Sequence, residues 1–196
     1  MTPRGAQPPQ ATRDSDKLIP NGLFGMMLFV LAEAMLFAGL ISAFEIMHSG
    51  AMVWPPPNQP RLPIEATALN TLALLASGVF LYRAHQAFHR GDRSRMLQPM
   101  MIALGLGTFF VLFQGFEWVQ LIQEGLTLSS SSLGSFFYLM VGMHAAHAIA
   151  AIGLLGYATA RLRGGWLTPS LFGAAEVFWF FVVGAWPVLY GVVYLR

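Results

Sequence analysis

Three glutamates lie within long apolar stretches of this 196-residue sequence: Glu33, Glu117 and Glu176. Glu33 is the clearest of them, because the stretch LFVLAEAMLFAGL at residues 28–40 contains no other polar side chain. An ionisable group inside hydrocarbon is costly, so in membrane proteins it faces other protein groups, pairs with a partner or belongs to a functional path. We therefore interpret the three glutamates as buried polar groups that either join helices as hydrogen-bonded acids or take part in proton movement.

Two histidines are candidate partners for these buried acids. The motif GMHAAH places His144 and His147 three residues apart, on one face of a helix. A haem held inside a helix bundle usually takes its histidines from two facing helices, and no facing histidine is evident. We therefore expect these histidines to be partners of the buried acids rather than haem ligands.

The depth of each group along its helix predicts how the acids and histidines pair. At about 1.5 Å of rise per residue, Glu33 and His144 both come out near mid-membrane, whereas Glu176 and His147 both come out about 10 Å from the inner face. Glu117 comes out near the outer interface, where water or the adjoining loop can hydrogen-bond it. The predicted pairs are therefore Glu33 with His144 and Glu176 with His147.

Other reactive residue types give weaker patterns. The segment HQAFH at residues 85–89 has the spacing of a helical zinc site, but Gln86 stands where that motif needs a glutamate base. The run SSSS at residues 129–132 has no nearby base and is typical of a loop. The sequence contains no cysteine, which excludes disulfides and thiolate sites. We therefore expect no catalytic residue, no metal site and no cofactor site in this chain.

Composition and periodicity indicate that these groups lie in a membrane. Hydrophobic residues make up 56% of the sequence and charged residues 10%, and the mean hydropathy is +0.58. A helix needs roughly 20 apolar residues to cross hydrocarbon. The sequence predicts an all-α membrane protein, a bundle of five transmembrane helices at about residues 22–47, 65–88, 97–123, 133–159 and 171–195.

The positions of the basic residues predict the orientation of the bundle. In a five-helix model, nine of the 11 lysines and arginines fall on one side of the membrane and two on the other. Because cytoplasmic loops carry the excess of positive charge, the N-terminus is predicted to be cytoplasmic and the C-terminus outside. Residues 1–20 are polar and proline-rich, and they predict a flexible cytoplasmic tail before a transmembrane domain at 21–196. The basic residues thus reflect topology and indicate no nucleic-acid partner.

Several motifs together resemble subunit III of the haem-copper oxidases, in its short five-helix bacterial form. They are LAEAMLF at 31–37, WPPP at 54–57, NTLALLASG at 70–78, FEW at 116–118, SFFYLMVGMHAAH at 135–147 and VFWFFVVGAW at 177–186. The family usually has Trp-His-Phe-Val-Asp on its last helix. Here Phe180 and Val183 replace the histidine and the aspartate.

The resemblance implies a subunit without redox centres in an aerobic terminal oxidase that couples electron transfer to proton translocation. Such a subunit packs beside catalytic subunit I, whose complex holds the haem and copper, and it supports stability and proton uptake. We expect bound phospholipid in a cleft between the first two helices and the other three, and a location in the bacterial cytoplasmic membrane. The alternatives are an accessory subunit of a nitric-oxide-reductase-like complex, and a small transporter or scaffold.

Overall fold

The computed structural model describes residues 20–53 and 60–195, and these residues form five long helices. A short 3₁₀ turn at Arg93–Arg95 precedes the third helix. Each long helix is long and apolar enough to cross a membrane, which confirms the predicted fold class. The predicted tail at residues 1–20 lies outside the described residues except for Pro20, and the WPPP turn lies wholly outside them. The helices are α1 (Asn21–Ser49), α2 (Ile64–His89), α3 (Leu97–Gln123), α4 (Ser132–Arg163) and α5 (Pro169–Val193).

Local sequence signals set several helix ends. The hydroxyl of Ser131 accepts a hydrogen bond from the Gly134 backbone N–H at 3.0 Å and caps the start of α4. Thr168 caps α5 in the same way, and Pro169 occupies the first position of that helix, where it loses no helical hydrogen bond. Between α2 and α3, Gly91 has a φ of 72°, a left-handed conformation that glycine adopts without strain.

Four of the helices form a closed ring. Helix α2 packs against α3 and α5, and α4 packs against α3 and α5. Helix α1 lies outside this ring against α5 and α4, and Phe37 and Phe44 are its buried residues. The ring is therefore the core of the molecule, with α1 as a peripheral fifth helix.

Small residues allow the close approach of α5 to α2 and α3. A Cβ added at Gly107 of α3 would overlap the six-membered ring of Trp179. A Cβ added at Gly78 of α2 would lie 3.1 Å from Cγ1 of Val183. Because hydrocarbon gives no hydrophobic drive between spanning helices, this close packing is a main source of their association. Val183, which stands in place of the family's aspartate, thus packs as an apolar contact.

The predicted lipid cleft between an α1–α2 pair and the remaining helices is wrong. Helix α1 packs against α5 and α4, and α2 belongs to the ring on the other side of α5. The expected pairing followed from the family resemblance. An apolar groove of about 370 Å³ does exist, but between α1 and α5, where it is lined by residues that include Phe37, Phe180 and Phe181.

Candidate functional site

Glu33 of α1 contacts His147 of α4 inside the bundle. The distance from Glu33 Oε2 to His147 Nε2 is 3.0 Å, and the side chains are 19% and 10% exposed. Glu33 Oε2 has no hydrogen bond of good geometry within the described residues, so this close contact is electrostatic. The rings of Phe29 and Phe37 lie against the imidazole and keep the contact away from water.

The other ring nitrogen of His147 fixes where one proton must be. His147 Nδ1 lies 2.7 Å from the backbone carbonyl oxygen of Met143. A carbonyl oxygen can only accept, so Nδ1 carries a proton and donates it. The remaining nitrogen then faces Glu33, and the pair is neutral overall when it holds one further proton between the two groups. The arrangement can therefore hold a proton near mid-membrane without leaving a net charge there.

The predicted pairing of Glu33 with His144 is wrong. Counted at about 1.5 Å per residue from the predicted inner ends, residue 22 for α1 and residue 159 for α4, Glu33 lies about 17 Å deep and His147 about 18 Å deep. The depth of about 10 Å assigned to His147 was therefore too small. His147 is the residue that meets Glu33.

Glu176 of α5 pairs with His85 of α2, so its predicted pairing with His147 is also wrong. The distance from His85 Nδ1 to Glu176 Oε1 is 2.7 Å. The ring of His89 lies 4.3 Å from the ring of His85, centroid to centroid. The two histidines of HQAFH thus form one cluster with an acid, close to the end of the bundle that carries the α2–α3 turn. The spacing in HQAFH suggested His85 only as a metal ligand, and its acid partner was not predicted.

Glu117 of α3 was predicted to hydrogen-bond water or the adjoining loop. It is instead buried among the helices. Its side chain is 2% exposed. The Thr67 hydroxyl donates to Glu117 Oε2 at 3.0 Å, and the Gln114 amide donates to the same oxygen at 3.0 Å. The Gln114 amide also donates to the Tyr194 hydroxyl at 3.2 Å. Glu117 thereby joins α2 and α3 directly, and the network extends to Tyr194 at the end of α5.

His144 lies at the centre of the ring and is 1% exposed. Its ring is 5.0 Å from the Trp186 ring and 6.2 Å from the Phe110 ring, centroid to centroid. His144 Nε2 has no hydrogen-bond partner among residues 20–53 and 60–195. Although the sequence motif links His144 to His147, only His147 reaches an acid in the described part of the chain.

Helix α2 carries a stripe of buried polar side chains whose role was not predicted from the sequence. Trp186 Nε1 donates to the Thr71 hydroxyl at 2.8 Å, and Trp179 Nε1 donates to the Ser77 hydroxyl at 3.2 Å. The signal was present in the sequence, because the buried residues Thr67, Asn70 and Ser77 are separated by three and seven residues, which places them on one face of a helix. The stripe holds both indoles of α5 in the core of the ring.

Residues 20–53 and 60–195 contain no group of three histidine, cysteine, aspartate or glutamate side chains placed to hold a metal ion. His147 and His85 each use a ring nitrogen to contact an acid.

A basic cleft lies at the end of the bundle that carries the α2–α3 turn. We call it the arginine cleft; its volume is about 610 Å³, and it is lined by Phe80, Arg83, Gln86, Ala87, Arg90, Asp92, Arg95, Gln98, Pro99 and Ile102. The Ser94 hydroxyl, which donates to Asp92 at 2.6 Å, and the neighbouring Arg95 hold the pKa of the Asp92 carboxyl below its usual range. Asp92 also pairs with the Arg95 guanidinium at 2.9 Å. Three arginines facing one aspartate leave the cleft with a positive charge.

Comparison with known proteins gives a consistent result over this whole architecture. The family model for cytochrome c oxidase subunit III matches residues 12–196. The chain is similar to cytochrome c oxidase subunit 3 of Sus scrofa, with 34% identity over 189 residues that cover 90% of this chain and 70% of that protein. The subunit 3 proteins of Tragelaphus imberbis and Felis catus are 35% identical over 188 and 189 residues, with the same coverage. The similarity therefore spans all five helices.

Proposed function

This chain belongs to the cytochrome c oxidase subunit III family, and from that membership we propose that it packs beside catalytic subunit I in the bacterial cytoplasmic membrane. It is a multi-pass membrane protein and an accessory subunit of a haem-copper oxidase, which is an oxidoreductase complex. The family match over residues 12–196 carries the proposal. It favours the oxidase over the alternatives of a nitric-oxide-reductase-like complex, a transporter or a scaffold.

The haem and copper belong, in this proposal, to the partner subunits. The buried acids and histidines of this chain are used to join helices: Glu33 with His147 joins α1 to α4, and Glu176 with His85 joins α5 to α2. Such contacts stabilise the bundle in hydrocarbon, where an unpaired ionisable group is costly. The chain then contributes to the complex through its shape, its bound lipid and its proton-holding groups.

A role in proton uptake is supported by the two acid–imidazole pairs. The nearest atoms of Glu33 and His147 lie 3.0 Å apart and those of Glu176 and His85 lie 2.7 Å apart, close enough for a proton to pass once the side chains align. A pair that stays neutral while its proton moves between acid and imidazole avoids the cost of a net charge in hydrocarbon. Each pair is proposed as a local proton-holding group.

Phospholipid binding is supported by the arginine cleft. Its arginines suit a phosphate group because the guanidinium presents several donors in a planar fork. Its apolar wall, which includes Phe80 and Ile102, suits the first carbons of an acyl chain. Basic pockets between spanning helices on the cytoplasmic side are typical sites for anionic lipid headgroups. We place the headgroup of an anionic phospholipid here instead of in the predicted α1–α2 cleft.

Purification of the tagged chain in mild detergent tests the assignment to an oxidase. The expected result is co-isolation with a larger chain that binds haem and reduces oxygen. Isolation of the tagged chain as a stable particle without haem would contradict the proposal.

The proposed orientation, with the N-terminus in the cytoplasm and the C-terminus outside, has a separate test. The native sequence has no cysteine, so a single engineered cysteine can be labelled without background. Ser129→Cys lies in the exposed loop before α4, and Ser94→Cys lies in the exposed turn before α3. A membrane-impermeant thiol reagent added to intact cells should label Cys at position 129 and spare Cys at position 94. Labelling in the reverse order would show that the orientation is inverted.

A further inference from the structure

One acidic side chain lies among the basic residues of the arginine cleft. Asp92 lines the cleft together with Arg83, Arg90 and Arg95. Among the described residues that line it, Asp92 is the only one with a carboxylate. A phosphate bound by these arginines therefore shares the cleft with a negative charge, and that charge affects which headgroups fit.

The carboxylate of Asp92 is held in a defined position by its own turn. Its Oδ1 accepts a hydrogen bond from the Ser94 hydroxyl at 2.6 Å and one from the Arg95 backbone N–H at 3.3 Å. Its Oδ2 lies 2.9 Å from Arg95 Nε. A carboxylate can accept about four hydrogen bonds. Because the Asp92 side chain is 35% exposed, it can accept a further one from a ligand.

The cleft changes from apolar to charged along its length. Phe80 and Ile102 line it on α2 and α3, away from the turn that joins these helices. The Arg83 guanidinium lies over the Phe80 ring, 5.3 Å from its centroid. Arg90 directly follows α2, about two helical turns beyond Arg83, and Asp92 lies in the turn itself. A phospholipid that follows this order has its acyl carbons at the apolar end, its phosphate at the arginines and any group beyond the phosphate nearest Asp92.

The group beyond the phosphate decides how a headgroup meets Asp92. Phosphatidic acid ends at its phosphate, whose charged oxygens are repelled by a carboxylate. Phosphatidylglycerol carries a glycerol group beyond its phosphate, and a hydroxyl of that group can donate to Asp92. Arginines alone would favour phosphatidic acid, because a phosphate monoester carries more negative charge than a diester. The two lipids therefore separate the effect of the carboxylate from the effect of the arginines.

We propose that Asp92 makes the arginine cleft selective for anionic phospholipids whose headgroup carries hydroxyl groups beyond the phosphate, over phosphatidic acid. The arginines attract the phosphate of either lipid, and Asp92 distinguishes the two by accepting a headgroup hydroxyl. Asp92 is thus a specificity-determining residue of the cleft, and Ser94 and Arg95 position it. This inference rests on the proposed lipid function of the cleft.

Lipid competition on the purified oxidase complex tests the selectivity. The complex is incubated with equal amounts of phosphatidylglycerol and phosphatidic acid that have the same acyl chains, and the retained lipid is measured by mass spectrometry. The lipid that is lost when Arg83 and Arg90 are replaced by glutamine is the share held by the cleft. In that share we expect about five-fold more phosphatidylglycerol, since one net hydrogen bond changes a binding constant by about this factor. Equal amounts, or an excess of phosphatidic acid, would overturn the inference.

Asp92→Asn removes the charge and keeps the shape of the side chain. It should retain as much anionic lipid as the parent, with a ratio of phosphatidylglycerol to phosphatidic acid near one or below, because the amide does not repel a phosphate. A parental ratio in this variant, or the loss of both lipids from it, would overturn the inference.

Arg93→Gln is the matched control, because Arg93 lies in the same turn but is not among the residues that line the cleft. It should keep the parental ratio, and a changed ratio would show that the charge of the whole turn, not Asp92, sets the preference. If replacing Arg83 and Arg90 removes neither lipid, the lipid function of the cleft is wrong and the selectivity is wrong with it. Retention of both lipids without a preference would overturn the selectivity alone.

Discussion

Glu33 Oε2 lies 3.0 Å from His147 Nε2, and this contact connects the peripheral helix α1 to the four-helix ring. Glu33→Leu leaves the imidazole without its acid, and we expect it to lower the free energy of unfolding by about 1–3 kcal/mol. Glu33→Gln keeps hydrogen-bonding capacity but carries no exchangeable acid proton, so it should preserve assembly and slow proton uptake by the complex. Thermal unfolding in detergent and stopped-flow proton uptake measure the two effects.

The matched control is Ser42→Ala on the same helix, where the exposed hydroxyl bonds only to the carbonyl oxygen of Ala38 within the described residues. It should leave both measurements at the parental values. Parental proton uptake in Glu33→Gln would contradict the proton role, and parental stability in Glu33→Leu would contradict the structural one.

The Glu176–His85 pair predicts a measurable coupling between α5 and α2. In a double-mutant cycle with Glu176→Gln and His85→Gln, the two substitutions should be non-additive by about 0.5–1 kcal/mol in unfolding free energy. We expect a coupling energy in the lower part of the range usual for contacting residues, because the His85 side chain is 34% exposed and solvent weakens the interaction. Glu176→Gln combined with His89→Gln is the comparison cycle, and it should be closer to additive. Equal coupling in both cycles would argue against a specific pair.

The Gly107–Trp179 contact predicts a position-specific effect of adding one methyl group. Gly107→Ala places a Cβ in the Trp179 ring, and overpacking of this kind costs about 1–3 kcal/mol. The control on the same helix is Gly105→Ala, where no described atom lies within 4 Å of the added Cβ. That substitution should be neutral or slightly stabilising, since alanine favours a helix by about 0.5–1 kcal/mol over glycine. Equal unfolding temperatures for the two variants would contradict the observed helix approach.

The arginine cleft predicts that anionic phospholipid stays with the chain through purification. Replacing Arg83 and Arg90 by glutamine should reduce the anionic lipid retained, as measured by mass spectrometry of extracted lipid, because two guanidinium groups facing the phosphate are lost. Arg161→Gln is the control, since that guanidinium stacks on Tyr157 outside the cleft. The same loss of lipid in the control would show that general basic charge, and not the cleft, retains it.

The number and limits of the helices could be predicted from the sequence because strong boundaries surround them. The predicted third span, 97–123, matches α3, which begins after the charged segment HRGDRSR. The end of α4 was underestimated because Arg161 and Arg163 were treated as loop. Long arginine side chains can keep their charge in the interface while the helix continues, so an apolar stretch ends before its helix does.

The partners of the buried groups could be predicted only in part. Apolar surroundings identified Glu33 and Glu176 as groups that need partners, because charge in hydrocarbon is costly. Depth alone gives neither the rotation of each helix nor which helices touch. Glu33 was therefore paired with the wrong histidine of α4, and Glu176 with a histidine of the wrong helix. The Thr67, Gln114 and Tyr194 cluster around Glu117 was missed for the same reason, since its members lie on three helices.

The most direct test compares the oxidase complex purified with and without this chain. We expect the same haem content per catalytic subunit in both preparations, with oxygen consumption that starts but decays faster in the preparation without the chain. The measurement is haem absorbance normalised to catalytic subunit, together with an oxygen-consumption time course. Haem content that falls in proportion to the missing chain would contradict a subunit without redox centres.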